Sequence, residues 1–219
     1  MRDFASKFTQ PTEVDPLVAF PNYEYHNALP GDGVYNEEKD IVFLLIPKCA
    51  TSVMRAYAEE HDVDNVPGWT RIELKQVKRR LGRVVVILRD PIERFISTLN
   101  MYLTFRSIHE MSNFVTFVQG PFGWYLESND SHFIPQQSFL KDVYDFKARF
   151  DEEIKIDYFY YNRDIYNQIN AEYDLDIDAK KIMGYAHKMI TGVDETVIRQ
   201  AYRVDYEIIN SVKFKNKML

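Results

Sequence analysis

Ile41-Val-Phe-Leu-Leu-Ile-Pro-Lys-Cys-Ala-Thr-Ser52 and Arg83-Val-Val-Val-Ile-Leu-Arg-Asp-Pro-Ile-Glu-Arg-Phe-Ile-Ser97 are the two stretches that decide the fold. Each is an apolar, β-branched run that meets a cation and turns into a helix carrying hydroxyl groups. Ile41 to Ile46 has no polar interruption, the pattern of a strand buried on both faces, as in a parallel sheet. Pro47 ends the run. Lys48, Thr51 and Ser52 then fall in the turn and the first helical residues, where unpaired N–H groups and the helix dipole favour an anion. Val84 to Leu88 is a second buried-strand run. Asp90 suits the N-cap of the next helix, Pro91 its N1 position, and Glu93 at N3 completes a capping-box pattern. Arg89 stands at the carboxyl end of its strand and Ser97 nearly two turns into the helix, so both can reach one phosphate. Two anion sites are expected.

Working outward, residues 1–38 hold Pro11, Pro16, Pro21 and Pro30 and are expected to form an extended arm over a single domain of residues 39–219. Helices are expected over 51–61, 71–81, 92–105, 111–119, 164–173, 179–185 and 195–210. A third strand fits the alternation of 154–161. In the 71–81 segment Leu74, Val77 and Leu81 share one side, leaving Arg71, Lys75, Lys78 and Arg79 elsewhere. Strands alternating with helices predict an α/β fold with a central parallel sheet flanked by helices, its ligand lying beyond the strands' carboxyl ends.

The 219 residues, 46% hydrophobic and 15% aromatic, suffice for one compact core. Net charge −6 argues against general nucleic-acid binding, although an anion pocket must be locally positive. A single cysteine, Cys49, excludes an intramolecular disulfide and suits a reducing compartment. Met1 to Phe8 lacks the apolar core of a signal peptide, and no apolar run approaches a membrane span. A soluble, cytoplasmic protein without a membrane partner is expected.

Pro47-Lys48-Cys49-Ala50-Thr51-Ser52 resembles the 5′-phosphosulfate loop of sulfotransferases that use 3′-phosphoadenosine-5′-phosphosulfate (PAPS). The likeness is to the carbohydrate, Golgi-type enzymes, whose loops commonly read P-K-x-A-[SC]-T. Arg89-Asp90-Pro91-Ile92-Glu93-Arg94-Phe95-Ile96-Ser97 resembles their 3′-phosphate motif, R-[DN]-P-x-x-R-x-x-S. His132-Phe133-Ile134-Pro135-Gln136 is similar to their H-W-x-P element, with Phe133 for tryptophan, and Tyr202-Arg203-Val204-Asp205-Tyr206 to their Y-x-x-D-[YF] element. The likeness covers roughly residues 41 to 210 in the family's order. The R-K-G-x-x-G segment of the cytosolic small-molecule enzymes has no counterpart, Gly184 and Gly192 standing alone. The chain is also short for a carbohydrate sulfotransferase.

The resemblance implies a three-layer P-loop-like fold and sulfuryl transfer from PAPS to a hydroxyl acceptor such as a carbohydrate, with PAP (3′-phosphoadenosine-5′-phosphate) as product and no metal. It implies that Lys48 stabilises the bridging oxygen, that Thr51, Ser52 and the loop amides of Lys48, Cys49 and Ala50 bind the 5′-phosphosulfate, and that Arg89 and Ser97 bind the 3′-phosphate. For the catalytic base, His132 lies in the polar segment Glu127 to His132 and matches the H-W-x-P element, against a structural role in its loop. His61 is the rival, with Glu59 and Glu60 behind it. Arg94 reads as structural, Arg71, Lys75, Lys78, Arg79, Arg80 and Arg83 as a solvated helix face with an anionic acceptor as the alternative, and Tyr158, Tyr160, Tyr161 and Tyr166 as packing.

Other readings compete. Cys49 and Arg55 have the C-x5-R spacing of a cysteine phosphatase, in which a thiolate attacks phosphorus. Lys48 stands where a histidine is usual, Ala56 where a hydroxyl is, and no glycine eases the loop. A P-loop kinase needs G-x-x-x-x-G-K-[ST], which is absent. A module that binds PAPS or PAP without turnover keeps the same motifs.

Overall fold

A computed structural model of the chain describes residues 31–55, 68–105, 115–121, 123–128, 130–150, 154–178 and 193–216. The core is an α/β arrangement on a five-stranded sheet ordered β3-β1-β2-β4-β7, beside a separate two-stranded hairpin, β5-β6. The strands are β1 (Asp32–Asn36), β2 (Ile41–Leu44), β3 (Trp69–Glu73), β4 (Arg83–Leu88), β5 (Val115–Gly120), β6 (Gly123–Ser128) and β7 (Lys155–Tyr160). The helices are α1 (Pro91–Phe105), α2 (Gln136–Arg149), α3 (Ile165–Tyr173), α4 (Glu195–Ala201) and α5 (Arg203–Ser211), and residues 51–55 are helical as well.

The expected parallel strands form the middle and one side of the sheet. β4 runs parallel to β2, with Phe43 opposite Val85, and parallel to β7 along its whole length. Their side chains are buried from Ile41 to Leu44 and from Val84 to Leu88, as uninterrupted apolar runs require when both faces are covered. The sheet is mixed, however. β1 pairs antiparallel with both β2 and β3. Only residues 37–40 join β1 to β2, too few for a crossover, so a hairpin results. Asp40 closes it with φ of 52° and accepts a 3.0 Å bond from the Tyr35 hydroxyl. Residues 32–36 of the expected arm are therefore a sheet strand, while residues 1–30 lie outside the described residues.

Three expected helices take other forms. Residues 71–73 of the expected 71–81 helix belong to β3, and a turn follows; Leu74 and Leu81 are buried as their spacing implied, but without helical backbone. Residues 115–120 are β5, paired with β6 from Val115 opposite Ser128 to Gly120 opposite Gly123. Val, Thr and Phe favour that pleated surface. Residues 195–210 are two helices, because Tyr202 leaves helical geometry with its ring buried and its hydroxyl donating to the Phe133 carbonyl at 2.6 Å. Conversely α2 has no counterpart among the expected elements. The other expectations hold within a residue or two for β2, β4, α1, β7 and α3; the 179–185 helix lies outside the described residues.

Two apolar clusters result. The larger packs the sheet against Phe139, Leu140, Val143 and Phe146 of α2 and Ile165, Tyr166 and Ile169 of α3. The smaller gathers Ile92, Phe95 and Leu99 of α1, Val115 and Leu126 of the hairpin, Phe133, Ile198 and Tyr202. The free edge of β7 is occupied by residues 214–216: Lys215 N–H donates to Tyr158 O, and the Asn216 amide pairs with both backbone groups of Tyr160, each at 2.8 Å. No helix among the described residues is long and apolar enough to cross a membrane.

Candidate functional site

β2, β4 and β7 are parallel, so their carboxyl ends lie along one edge of the sheet, where open α/β sheets hold ligands. Three segments emerge there: the turn of Pro47 to Ala50, Arg89 with Asp90, and Tyr161, whose N–H donates to Leu88 O at 2.7 Å.

The first turn is strained. Lys48 and Ala50 both have φ of 65°, and Cys49 between them does not share the left-handed region. That alternation is the backbone pattern of an anion-binding nest, adopted here without glycine at a cost of about 1–2 kcal/mol per residue. Such strain is concentrated at functional sites and needs surrounding structure to hold it. Tyr166 provides part of that hold by donating its hydroxyl to Ala50 O. Helical residues 51–55 follow, Thr51 buried and Ser52 exposed, so the first helical N–H groups stand next to the turn.

Lys48 is half-buried, and its ammonium pKa is lowered to about 8, first by burial and then by the charges of Arg89, Arg55 and Arg94. Arg89 Nη1 donates to Lys48 O at 3.2 Å, Nε pairs with Glu93 at 3.4 Å, and the guanidinium lies 4.4 Å from the Tyr161 ring centroid. The expected N-cap is present: Asp90 Oδ1 accepts from Ile92 N–H at 2.9 Å and Glu93 N–H at 3.1 Å. Glu93 turns its own carboxylate to Arg89. Ser97 is half-buried on α1, and no hydrogen bond joins it to Arg89 among the described residues.

Arg94 is fully buried and donates to three carbonyls, Pro47 at 2.9 Å, Ile134 at 2.7 Å and Ser131 at 3.3 Å. It thereby ties the Lys48 turn to the loop of His132. Gln136 is the second tie. Its side chain bonds both backbone groups of Arg89, at 2.9 Å and 2.8 Å, and accepts from Cys49 Sγ at 3.3 Å. Asp205 completes the connection by accepting from the N–H groups of Gln136 and Gln137, each at 2.9 Å, so it caps α2 from a distance. Tyr206 reaches Asp90 at 3.4 Å.

His132 is buried in this assembly. Its Nδ1 lies 2.7 Å from Asp130 Oδ1, which also accepts from His132 N–H at 2.8 Å. Burial lowers the imidazole pKa, Asp130 raises it, and the charges of Lys48 and Arg94 lower it further. The net shift is downward, and the ring is neutral near pH 7.

The four sequence segments with motif character thus meet at one edge of the sheet, held by Arg94, Gln136, Tyr202 and Asp205. His61, Glu59 and Glu60 lie outside the described residues. Arg71, Lys75 and Arg83 belong elsewhere: β4 begins at Arg83, roughly 17 Å of strand from the site, and the three pair with Asp32, Asp142 and Asp157. Cys49 is buried, and burial pushes its thiol up to about 11, so it is a protonated donor to Gln136 and unsuited to be a thiolate nucleophile. Asp130 and Gln136 received no role in the sequence. The Asp-x-His spacing of an Asx turn was a signal for Asp130, and nothing marks Gln136 before the fold buries it. Comparison with protein-family models, curated proteins and solved structures finds no match for this chain.

Proposed function

We propose that the protein transfers a sulfuryl group from PAPS to a hydroxyl-bearing acceptor, such as a carbohydrate, through a P-loop-like strand, turn and helix. The observation that carries this is the convergence of the Lys48 turn, Arg89, the His132 loop and the Tyr202 to Tyr206 segment through shared hydrogen bonds. Four matches scattered over a chain need not touch. These do, around an ammonium pressed by the charges of Arg89, Arg55 and Arg94, on a chain of net charge −6.

When bound, the donor supplies a sulfuryl group on a phosphate leaving group. The nest at Lys48 to Ala50, with Thr51 and Ser52, holds the 5′-phosphosulfate, and Lys48 neutralises charge growing on the bridging oxygen. Arg89 and Ser97 hold the 3′-phosphate, and Tyr161 beneath Arg89 restricts the guanidinium to one plane. His132 takes the proton of the acceptor hydroxyl. Holding both reactants in line is the larger part of the acceleration.

Calorimetric titration with PAP and with ADP tests the donor: PAP is expected to bind at least about tenfold tighter, the worth of one charge-assisted contact to the 3′-phosphate. Equal affinities rule out the PAPS reading. A transfer assay with labelled PAPS and a panel of hydroxyl acceptors separates an enzyme from a module that only binds.

A further inference from the structure

We propose that Asp130 is the positioning residue for His132, fixing the imidazole with its proton on Nδ1 so that Nε2 is the atom that takes the acceptor's proton. The inference rests on the proposed function for its catalytic consequence, but its structural content stands on Asp130 alone. One carboxylate oxygen accepts both the backbone N–H and Nδ1 of the same residue two positions on. The oxygen of an ionised carboxylate has no proton to give, so the shared hydrogen belongs to Nδ1.

The surrounding bonds make the arrangement rigid. The Asp130 N–H donates to Ser128 Oγ at 3.1 Å, and Phe133 N–H returns to Asp130 O at 3.0 Å. On the other side Arg94 holds Ser131 O, and the Thr98 hydroxyl lies 3.2 Å from His132 O. The charged groups that act on the ring are Asp130, Lys48 and Arg94. Two of them are cations, so protonation of His132 in the reaction would face only repulsion without Asp130. In the transfer step the acceptor oxygen forms its bond to sulfur as its proton moves to Nε2. The bond from sulfur to the bridging oxygen breaks, and its electron pair leaves with the phosphate. The Asp130 carboxylate balances the imidazolium thus formed.

Asp130→Asn separates this role from loop support, since asparagine keeps an oxygen for the His132 N–H and favours the same turn. Because the one Oδ1 serves both bonds, the asparagine oxygen can still accept from Nδ1–H, and what the variant removes is the negative charge that balances the imidazolium. Two-bond ¹H–¹⁵N spectra, with the His132 signals assigned by loss in His132→Gln, should show an Nδ1–H tautomer in the wild type. In Asp130→Asn they should show the same tautomer with a titration displaced to lower pH, because the charge that raises the imidazole pKa is gone. In turnover, Asp130→Asn should lower kcat by about 100-fold or more with PAP affinity within twofold. A wild-type Nε2–H tautomer, or an unchanged titration in the variant, overturns the proposal. If His132→Ala transfers normally while the wild-type tautomer is Nδ1–H, the base assignment fails and the positioning by Asp130 stands.

Discussion

Lys48 combines two costs in one residue, a left-handed backbone and a half-buried ammonium among three arginines. Its folded pKa, about 8, lies below the 10.5 of the free group, so the unfolded chain holds the proton more tightly. Stability from this group therefore rises as pH increases from about 8 to 10.5, and near neutrality its burial and its cationic neighbours together cost about 3 kcal/mol. A bound polyanion would relieve that cost. Lys48→Met is expected to stabilise the free protein by about 2 kcal/mol at pH 7, read by urea unfolding, and to slow transfer by about 100-fold or more. In the wild type, kcat/KM for PAPS should decline as pH rises above about 8, the pKa of Lys48 in the free protein, because only the protonated amine neutralises the leaving oxygen. A kcat/KM flat to pH 10 would remove Lys48 from the chemistry. At Cys49 the expectation is opposite. Cys49→Ser retains a donor for Gln136 and should leave transfer within about twofold while costing about 1 kcal/mol of stability. The sequence made Lys48 and Arg89 legible, since a cation after a buried strand has few structural uses. Arg94 read as structural, but its partners were hidden, as was the role of Gln136, because both bond backbone groups of segments about forty residues away.

Helix α2 illustrates why elements were harder to read than residues. Phe139, Leu140, Val143 and Phe146 have helical spacing and are all buried, but Pro135 supplies no side-chain cap and the segment opens in a polar loop. Its cap comes from Asp205, sixty-nine residues from Gln136. Distant capping is invisible to local pattern. The mixed edge of the sheet was missed for a related reason: β1 lies in a stretch rich in glycine and polar residues, and its partner β3 carries Arg71 and Glu73, which suit an edge strand as well as a helix face. β2 and β4 were legible because only a strand covered on both faces sustains such apolar runs. Asp205→Ala removes the acceptor of two helix-terminal N–H groups and of the Gln136 side chain. It should lower stability by about 2–4 kcal/mol, measured by urea unfolding, and weaken PAP binding through the loosened Gln136 to Arg89 bonds. Burial raises the Asp205 carboxyl above its ordinary value, so its own contribution is complete at acid pH and is withdrawn as pH rises through the folded pKa.

At the scale of the molecule, charge is divided between the two ends of the parallel strands. At the amino end Arg83 and Lys215 pair with Asp157, whereas at the carboxyl end the Lys48 ammonium is pressed by the charges of Arg89, Arg55 and Arg94. An anion seated at the carboxyl end would therefore join β2, β4 and the His132 loop while relieving repulsion among the cations. Its binding free energy then appears as stability of the whole sheet. At one hundred times its dissociation constant PAP should stabilise the fold by about 2.7 kcal/mol. For a chain of this length that corresponds to a rise in Tm of about 5–10 °C, measurable by calorimetry. ADP at the same concentration should give a smaller shift, and Arg89→Ala should remove most of the difference between the two nucleotides. Raising salt should reduce both shifts, because part of the attraction is screened over about 10 Å at 0.1 M. Equal shifts for PAP and ADP in the wild type would place the 3′-phosphate outside the reach of Arg89 and, like equal affinities, rule out the PAPS reading.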